Sequence, residues 1–211
     1  MKFIYLFIFI ANFISAQQIA VLHYNGGGDW YSNPTALPNL IKFCNNQLNT
    51  NITKEVAEVE PDSPNLFDYP YIHATGHGNI LFNESEIKNL RTYLESGGFI
   101  HIDDNYGMKD YAKREILKLF PEKKLVPIGT DHLIFNTKFS FPKGLPKIHE
   151  HDNKSPGAEG IFINNRLVLL LTYECDLGDG WEDEEVHNDP QDIRLKALQM
   201  GANIIHYAFL N

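Results

Sequence analysis

The sequence predicts an α/β fold: a mostly parallel central sheet with helices on both faces and a late β-hairpin. Two observations carry this. From residue 18 to about residue 120, short apolar runs alternate with stretches of helical period; parallel neighbours need a crossover, and a helix is the usual one. Farther on, two apolar runs flank Asn164 and Asn165, residues that tolerate the positive φ of a tight hairpin turn.

The elements follow in order. Gln18 to Tyr24 reads as a first strand, and the loop Asn25 to Tyr31 carries Gly26, Gly27 and Gly28. A helix follows, with Pro34 near its first turn and Leu37, Leu40, Ile41, Cys44 and Leu48 on one stripe. Glu55 to Glu60 and Tyr71 to Thr75 are the second and third strands, the third ending in Gly76-His77-Gly78. Asn83 with Glu86 three residues on forms a capping-box signature ahead of Ile87, Leu90 and Leu94. Gly97 and Gly98 stop that helix, because glycine accepts the left-handed conformation other residues resist. Phe99 to Ile102 is a fourth strand and Lys109 to Phe120 a further helix. Residues 121–158 read as an irregular insertion near the sheet's end, with four prolines between Pro121 and Ser155. Glu159 to Tyr173 is the hairpin, and Asp189-Pro190 opens the last helix as cap and first turn.

Composition excludes several classes. With 27 acidic against 18 basic side chains the formal charge is −9, so the chain offers no electrostatic footprint for nucleic acid or an anionic bilayer. Its 43% hydrophobic content is too rich for disorder. Residues 1–16, with Lys2 followed by the apolar run Phe3 to Ile14 and ending at Ala16, read as a secretory signal peptide; the run falls short of the roughly 20 residues that span a bilayer. The expectation is a secreted or periplasmic single domain over residues 17–211, with no stable membrane insertion after cleavage. Cys44 and Cys175 are the only thiols. An oxidising compartment permits a disulfide between them, but the helical spacing around Cys44 favours a small buried core residue.

In an open α/β sheet, ligands bind outside the carboxyl ends of the strands. The expected ligand-binding set is therefore Gly26, Gly27, Gly28, Asp29, Trp30, Gly76, His77, Gly78, Asp103, Asp104, Asn105, Asp131, His132 and Trp181. The glycines either cradle an anion or make a tight turn. His77 and Asp104 are the candidate catalytic groups, a loop histidine and a strand-end carboxylate suited to acid or base work. Asp103 and Asp104 should point to opposite sides, one toward the crevice and one capping a helix. His101, inside an apolar strand, reads as a core histidine. Trp30 and Trp181 either pack at loop roots or stack on a sugar ring. Asp179 to Glu185 reads as a mostly solvated acidic loop. No cofactor is required. A divalent cation has enough potential ligands if Asp29, His77, Asp131, His132, Glu174 and Asp176 converge, though no HExxH motif is present.

Tyr24 to Tyr31, Leu37 to Leu40, Thr75 to Gly78, Leu90 to Phe99, Ile102 to Asp104, Asp131-His132 and Gly201 to Tyr207 together resemble the bacterial family called domain of unknown function 4159 (DUF4159). The resemblance implies a flavodoxin-like fold of the class I glutamine amidotransferase-like group and brings no activity. Catalytic members of that group place a cysteine nucleophile at a strand-to-helix elbow. Here Asp103 to Gly107 fill the elbow, with Asn105 near the nucleophile's place, so cysteine chemistry does not carry over. Three functional expectations remain: binding of a small polar ligand, carbohydrate included; a hydrolase on carbohydrate or cell-wall fragments, metal-assisted or not; and a non-catalytic scaffold.

Overall fold

The computed structural model describes residues 17–210; the signal-peptide expectation for residues 1–16 lies outside them. The strands are β1 (Ile19–Leu22), β2 (Ala57–Val59), β3 (Tyr71–Gly76), β4 (Phe99–Asp104), β5 (Val126–Pro127), β6 (Gly157–Ile163) and β7 (Arg166–Tyr173). They form one sheet in the order β2-β1-β3-β4-β7-β6-β5. The pairings from β2 through β7 are parallel, while β6 runs antiparallel to both β7 and β5. Asn164 and Asn165 make the hairpin turn at φ 50° and 64°, the double positive φ that a two-residue turn of this hand requires.

The helices are α1 (Ala36–Leu48), α2 (Glu84–Glu95), α3 (Lys109–Leu119), α4 (Leu177–Trp181), α5 (Glu184–His187) and α6 (Gln191–Leu210). Strand alternation divides the core. Tyr71, Phe99 and Leu170 face one cluster, with α1, α4 and α6; Ile72, Ile100, Ile102 and Leu171 face the other, with α2 and α3. The two helical layers cover a sheet buried on both sides, which is why its central strands read as continuous apolar runs. Gly201 lets α6 approach closely: a Cβ there would lie 2.7 Å from Leu40 and 2.8 Å from the Trp181 ring.

Two expectations need correction. The stretch Asp179 to Glu185 is not mostly solvated, because α4 folds it back onto the sheet. Asp179 and Glu182 are buried, and only Asp183 to Glu185 remain exposed. The insertion is not wholly irregular either. It supplies β5 and a 3-10 turn at Leu133–Phe135, capped by the His132 ring, whose Nδ1 accepts from the Ile134 amide at 3.2 Å. Cys44 and Cys175 are both buried free thiols.

Candidate functional site

Strand order reverses between β1 and β3, so the crevice at their carboxyl ends is the topological switch point where this architecture binds ligands. A pocket of about 300 Å³ lies there, lined among others by Val21, Trp30, Ser32, Leu37, His73 and Thr75. Several of its polar atoms are unspent. Both ring nitrogens of His73, the Thr75 hydroxyl and the Ser32 hydroxyl are buried without a hydrogen-bond partner. Burial pushes the His73 imidazole down to about 3, so the ring is neutral and offers one donor and one acceptor. Trp30 forms the pocket's aromatic side, stacked on His23 with ring centroids 4.0 Å apart.

The glycine loop makes the tight turn. Leu81 donates its amide to the Asn25 carbonyl at 2.8 Å, and Gly28 to that of Asn79 at 2.9 Å. A Cβ on Gly26 or Gly28 would lie 2.8 Å from the Asn79 carbonyl oxygen, and space is open only at Gly27. Beside this turn, Asp29 receives the backbone amide of His77, and its Oδ2 lies 3.0 Å from His77 Nδ1. Burial raises the Asp29 carboxyl, but those His77 contacts outweigh it and hold the group below its ordinary range. A Cβ on Gly76 would run into the Tyr24 hydroxyl and Asp29, so only glycine fits between them at φ 140°. Gly78, also at positive φ, completes the turn.

Asp103 and Asp104 point to opposite faces, as alternation along a strand requires. Asp104 accepts the Met108 amide at 2.6 Å ahead of α3. It also lines a charged cleft of about 550 Å³ with Tyr106, Lys109, Lys154 and Glu174. Asp103 is fully buried and accepts from Thr172 Oγ1 at 2.5 Å and the Gly178 amide at 2.8 Å. Burial pushes its carboxyl up to about 8, and the charges of Asp176 and Asp179 add to the rise against the Thr172 and Gly178 hydrogen bonds. Asn105 donates to Asn33 Oδ1 at 2.9 Å. His101 is a satisfied core histidine, within 3.1 Å of the Tyr71 hydroxyl and 2.8 Å of Thr172 Oγ1.

Three expected residues stand elsewhere. Trp181 is fully buried and donates from Nε1 to the Ala197 carbonyl at 2.8 Å, so it packs and lines no crevice. Asp131 and His132 line a separate pocket with Asn165 and Arg166, the start of β7. The strands are parallel there, so this pocket opens at the amino end of the sheet, opposite His77 and Asp104.

Sequence reasoning named Glu174 and Asp176 as possible cation ligands but passed over His73 and the histidines that cluster with acidic groups at the carboxyl end of β7. His149 lies 2.9 Å from Asp179 through Nδ1 and 3.0 Å from Asp189 through Nε2. His151 Nε2 lies 2.6 Å from Asp176, and His187 Nε2 3.0 Å from Glu182. Glu174 and Asp176 turn the chain at φ 57° and 53°, and Ile148 is tied to the Cys175 carbonyl at 3.0 Å. The available signal was the alternating His149-x-His151 in the proline-rich insertion.

A family model described as Domain of unknown function (DUF4159) matches residues 18–209. A comparison with curated proteins found no match. Among the described residues, no helix is long and apolar enough to cross a membrane.

Proposed function

The chain belongs to the DUF4159 family, whose description assigns no activity, and from that premise we propose that it binds a small neutral ligand rich in hydroxyls, a single sugar ring or a polyol, at the switch point. The observation that carries this reading is His73, with both ring nitrogens buried and unpartnered in the pocket wall. Each unpaired buried polar group costs about 1–3 kcal/mol, and a hydroxyl, being donor and acceptor at once, satisfies either nitrogen. Trp30 offers a face for the apolar side of a sugar ring. Among the described lining residues there is no Lys or Arg, which argues against an anion. The volume sits at the low end of ligand pockets, roughly 300–1,000 Å³, and suits one ring.

Titrating the purified protein with a panel of monosaccharides and polyols tests this, read by calorimetry and tryptophan emission. Saturable binding that His73→Leu and Trp30→Ala each abolish is the expected result; heat from none of the panel overturns the reading. We place the protein outside the cytoplasm, on the strength of Lys2 and the apolar run to Ile14. An exported chain whose first residue is Gln17 is the expected product.

The His77–Asp29 pair favours a second reading, hydrolysis of carbohydrate or cell-wall fragments. A carboxylate orients a half-exposed imidazole at the same rim, as a general base requires. Turnover lost in His77→Ala would favour it over simple binding.

A further inference from the structure

We propose that His149, His151 and Asp176 bind a divalent transition-metal cation of the zinc class at the carboxyl end of β7. This goes beyond the sugar-ring reading and does not depend on it. One ligand atom from each of the three lies within 4.8 Å of the others. Nitrogen and oxygen ligands sit about 2.0–2.2 Å from zinc, so two ligands of one ion are at most roughly 4.4 Å apart.

Asp176 supplies the independent observation that points to a ligand. Its side chain is 1% exposed, one oxygen is 2.6 Å from His151 Nε2, and the other has no partner. The same holds for Asp189 Oδ2, buried without a partner, while Oδ1 of that residue faces His149. None of Asp176, Asp179, Glu182 and Asp189 is ion-paired with a Lys or Arg among the described residues. Arg194 approaches the Glu182 backbone carbonyl and is ion-paired with none of these carboxylates.

His149 fits the role of ligand better than any other. A neutral imidazole has one N–H, yet carboxylates approach both of its nitrogens. If one nitrogen holds an ion, the other donates to its carboxylate, the arrangement that orients ligating histidines in metal sites. The carboxylate beside the ligating nitrogen then stands near the ion as a fourth ligand. Two imidazoles with carboxylate suit zinc and its first-row neighbours; magnesium and calcium want oxygen alone. The His149 and His151 side chains are 24% and 32% exposed, so an ion can enter from solvent. The His151 ring stacks on Tyr106 at 4.2 Å, which sets the centre beside the charged cleft that Tyr106 lines.

The test uses tag-free protein stripped with chelator, then equilibrium dialysis and calorimetry against Zn²⁺ alone, with Mg²⁺ as control and thermal unfolding as a second readout. We expect one Zn²⁺ per chain, a raised unfolding midpoint with Zn²⁺, and no comparable effect of Mg²⁺. His151→Gln and Asp176→Asn should each weaken binding by at least about tenfold, whereas His187→Gln should not. Circular dichroism checks folding, and should Asp176→Asn fail to fold, the partly exposed His151 decides alone. Substoichiometric zinc, equal affinity for Mg²⁺, or loss of binding in His187→Gln with retention in His151→Gln overturns the assignment. That last result would move the ion to the neighbouring group of His149, Asp179 and His187.

Discussion

Asn33 Nδ2 lies 2.5 Å from Asp179 Oδ1, joining residues 146 positions apart, while Asn33 Oδ1 accepts from Asn105. Asn33 lines the switch-point pocket and Asp179 faces His149, so one amide forms a wall common to both candidate sites. It holds that place at φ 59°, a conformation asparagine tolerates and most residues resist. Asn33→Gly keeps the backbone and deletes both hydrogen bonds; urea unfolding should show a loss of about 1–3 kcal/mol. Asn33→Ala should lose about 1 kcal/mol more, through strain at the Cβ. Equal stability of the glycine variant and the parent would deny the amide its structural role.

The buried ionisable groups set a pH dependence whose direction can be worked out. Asp103 rises from 3.8 to about 8 on folding. Between those values the folded chain keeps a proton that the unfolded chain has lost, so stability falls as pH rises. His73 acts oppositely: it drops from 6.5 to about 3, and below 6.5 the unfolded chain takes up a proton that the folded one refuses. Burial lowers His101, His132 and His206 in the same sense, and these opposing contributions fade as pH climbs past 6.5, leaving the effect of Asp103. The limiting contribution of Asp103 is about 1.4 kcal/mol per pH unit, shrinking as pH nears 8, where its folded carboxyl itself ionises. Asp103→Asn should flatten that limb in denaturant titrations; an unchanged slope would mean that Asp103 is already ionised in the folded state.

The two tryptophans should separate cleanly. Trp181 fills the interior between α4 and α6, against Ala197 and Gly201, so Trp181→Ala should cost about 3–5 kcal/mol. Trp181→Phe, a milder change, should leave affinity for a bound sugar or polyol intact. Trp30 is only partly buried, so Trp30→Ala should cost little stability and abolish that affinity. Calorimetric affinity measured beside unfolding midpoints decides between these roles, and loss of binding in Trp181→Phe would contradict them.

How far the sequence could be read depended on the range of each interaction. The capping box of Asn83 and Glu86, the Asn164-Asn165 turn and the opposed Asp103 and Asp104 are set within a few residues, and the structure has all three. Asp131 and His132 went to the wrong end of the sheet because the path of the insertion is fixed by pairing of β5 with β6, not by any local pattern. His73 looked like one more strand residue. Its significance is that no partner reaches it, a property of the tertiary packing. The buried Asp179 and Glu182 sit in a run that reads as solvated because α4 spans only Leu177–Trp181, too short to announce a helical period.

The same capping box bears on the pocket's rim. Asn83 Oδ1 accepts from the amides of Ser85 and Glu86 at 2.9 and 3.1 Å, and Glu86 Oε2 accepts the Asn83 amide at 2.6 Å. Glu86 has a second duty: its Oε1 accepts from Asn25 Nδ2 at 3.2 Å, just ahead of the glycine turn. Asn83→Ala should therefore cost about 0.5–2 kcal/mol through the cap alone. Glu86→Ala should cost a similar amount and also release Asn25. Amide hydrogen exchange separates the two, because Gly28 is protected by the Asn79 carbonyl. Glu86→Ala should speed exchange at Gly28 and Leu81, whereas Asn83→Ala should confine its effect to the first turn of α2. Equal exchange at Gly28 in both variants would show that the loop is held by its backbone pairing and that the Asn25 side chain adds nothing.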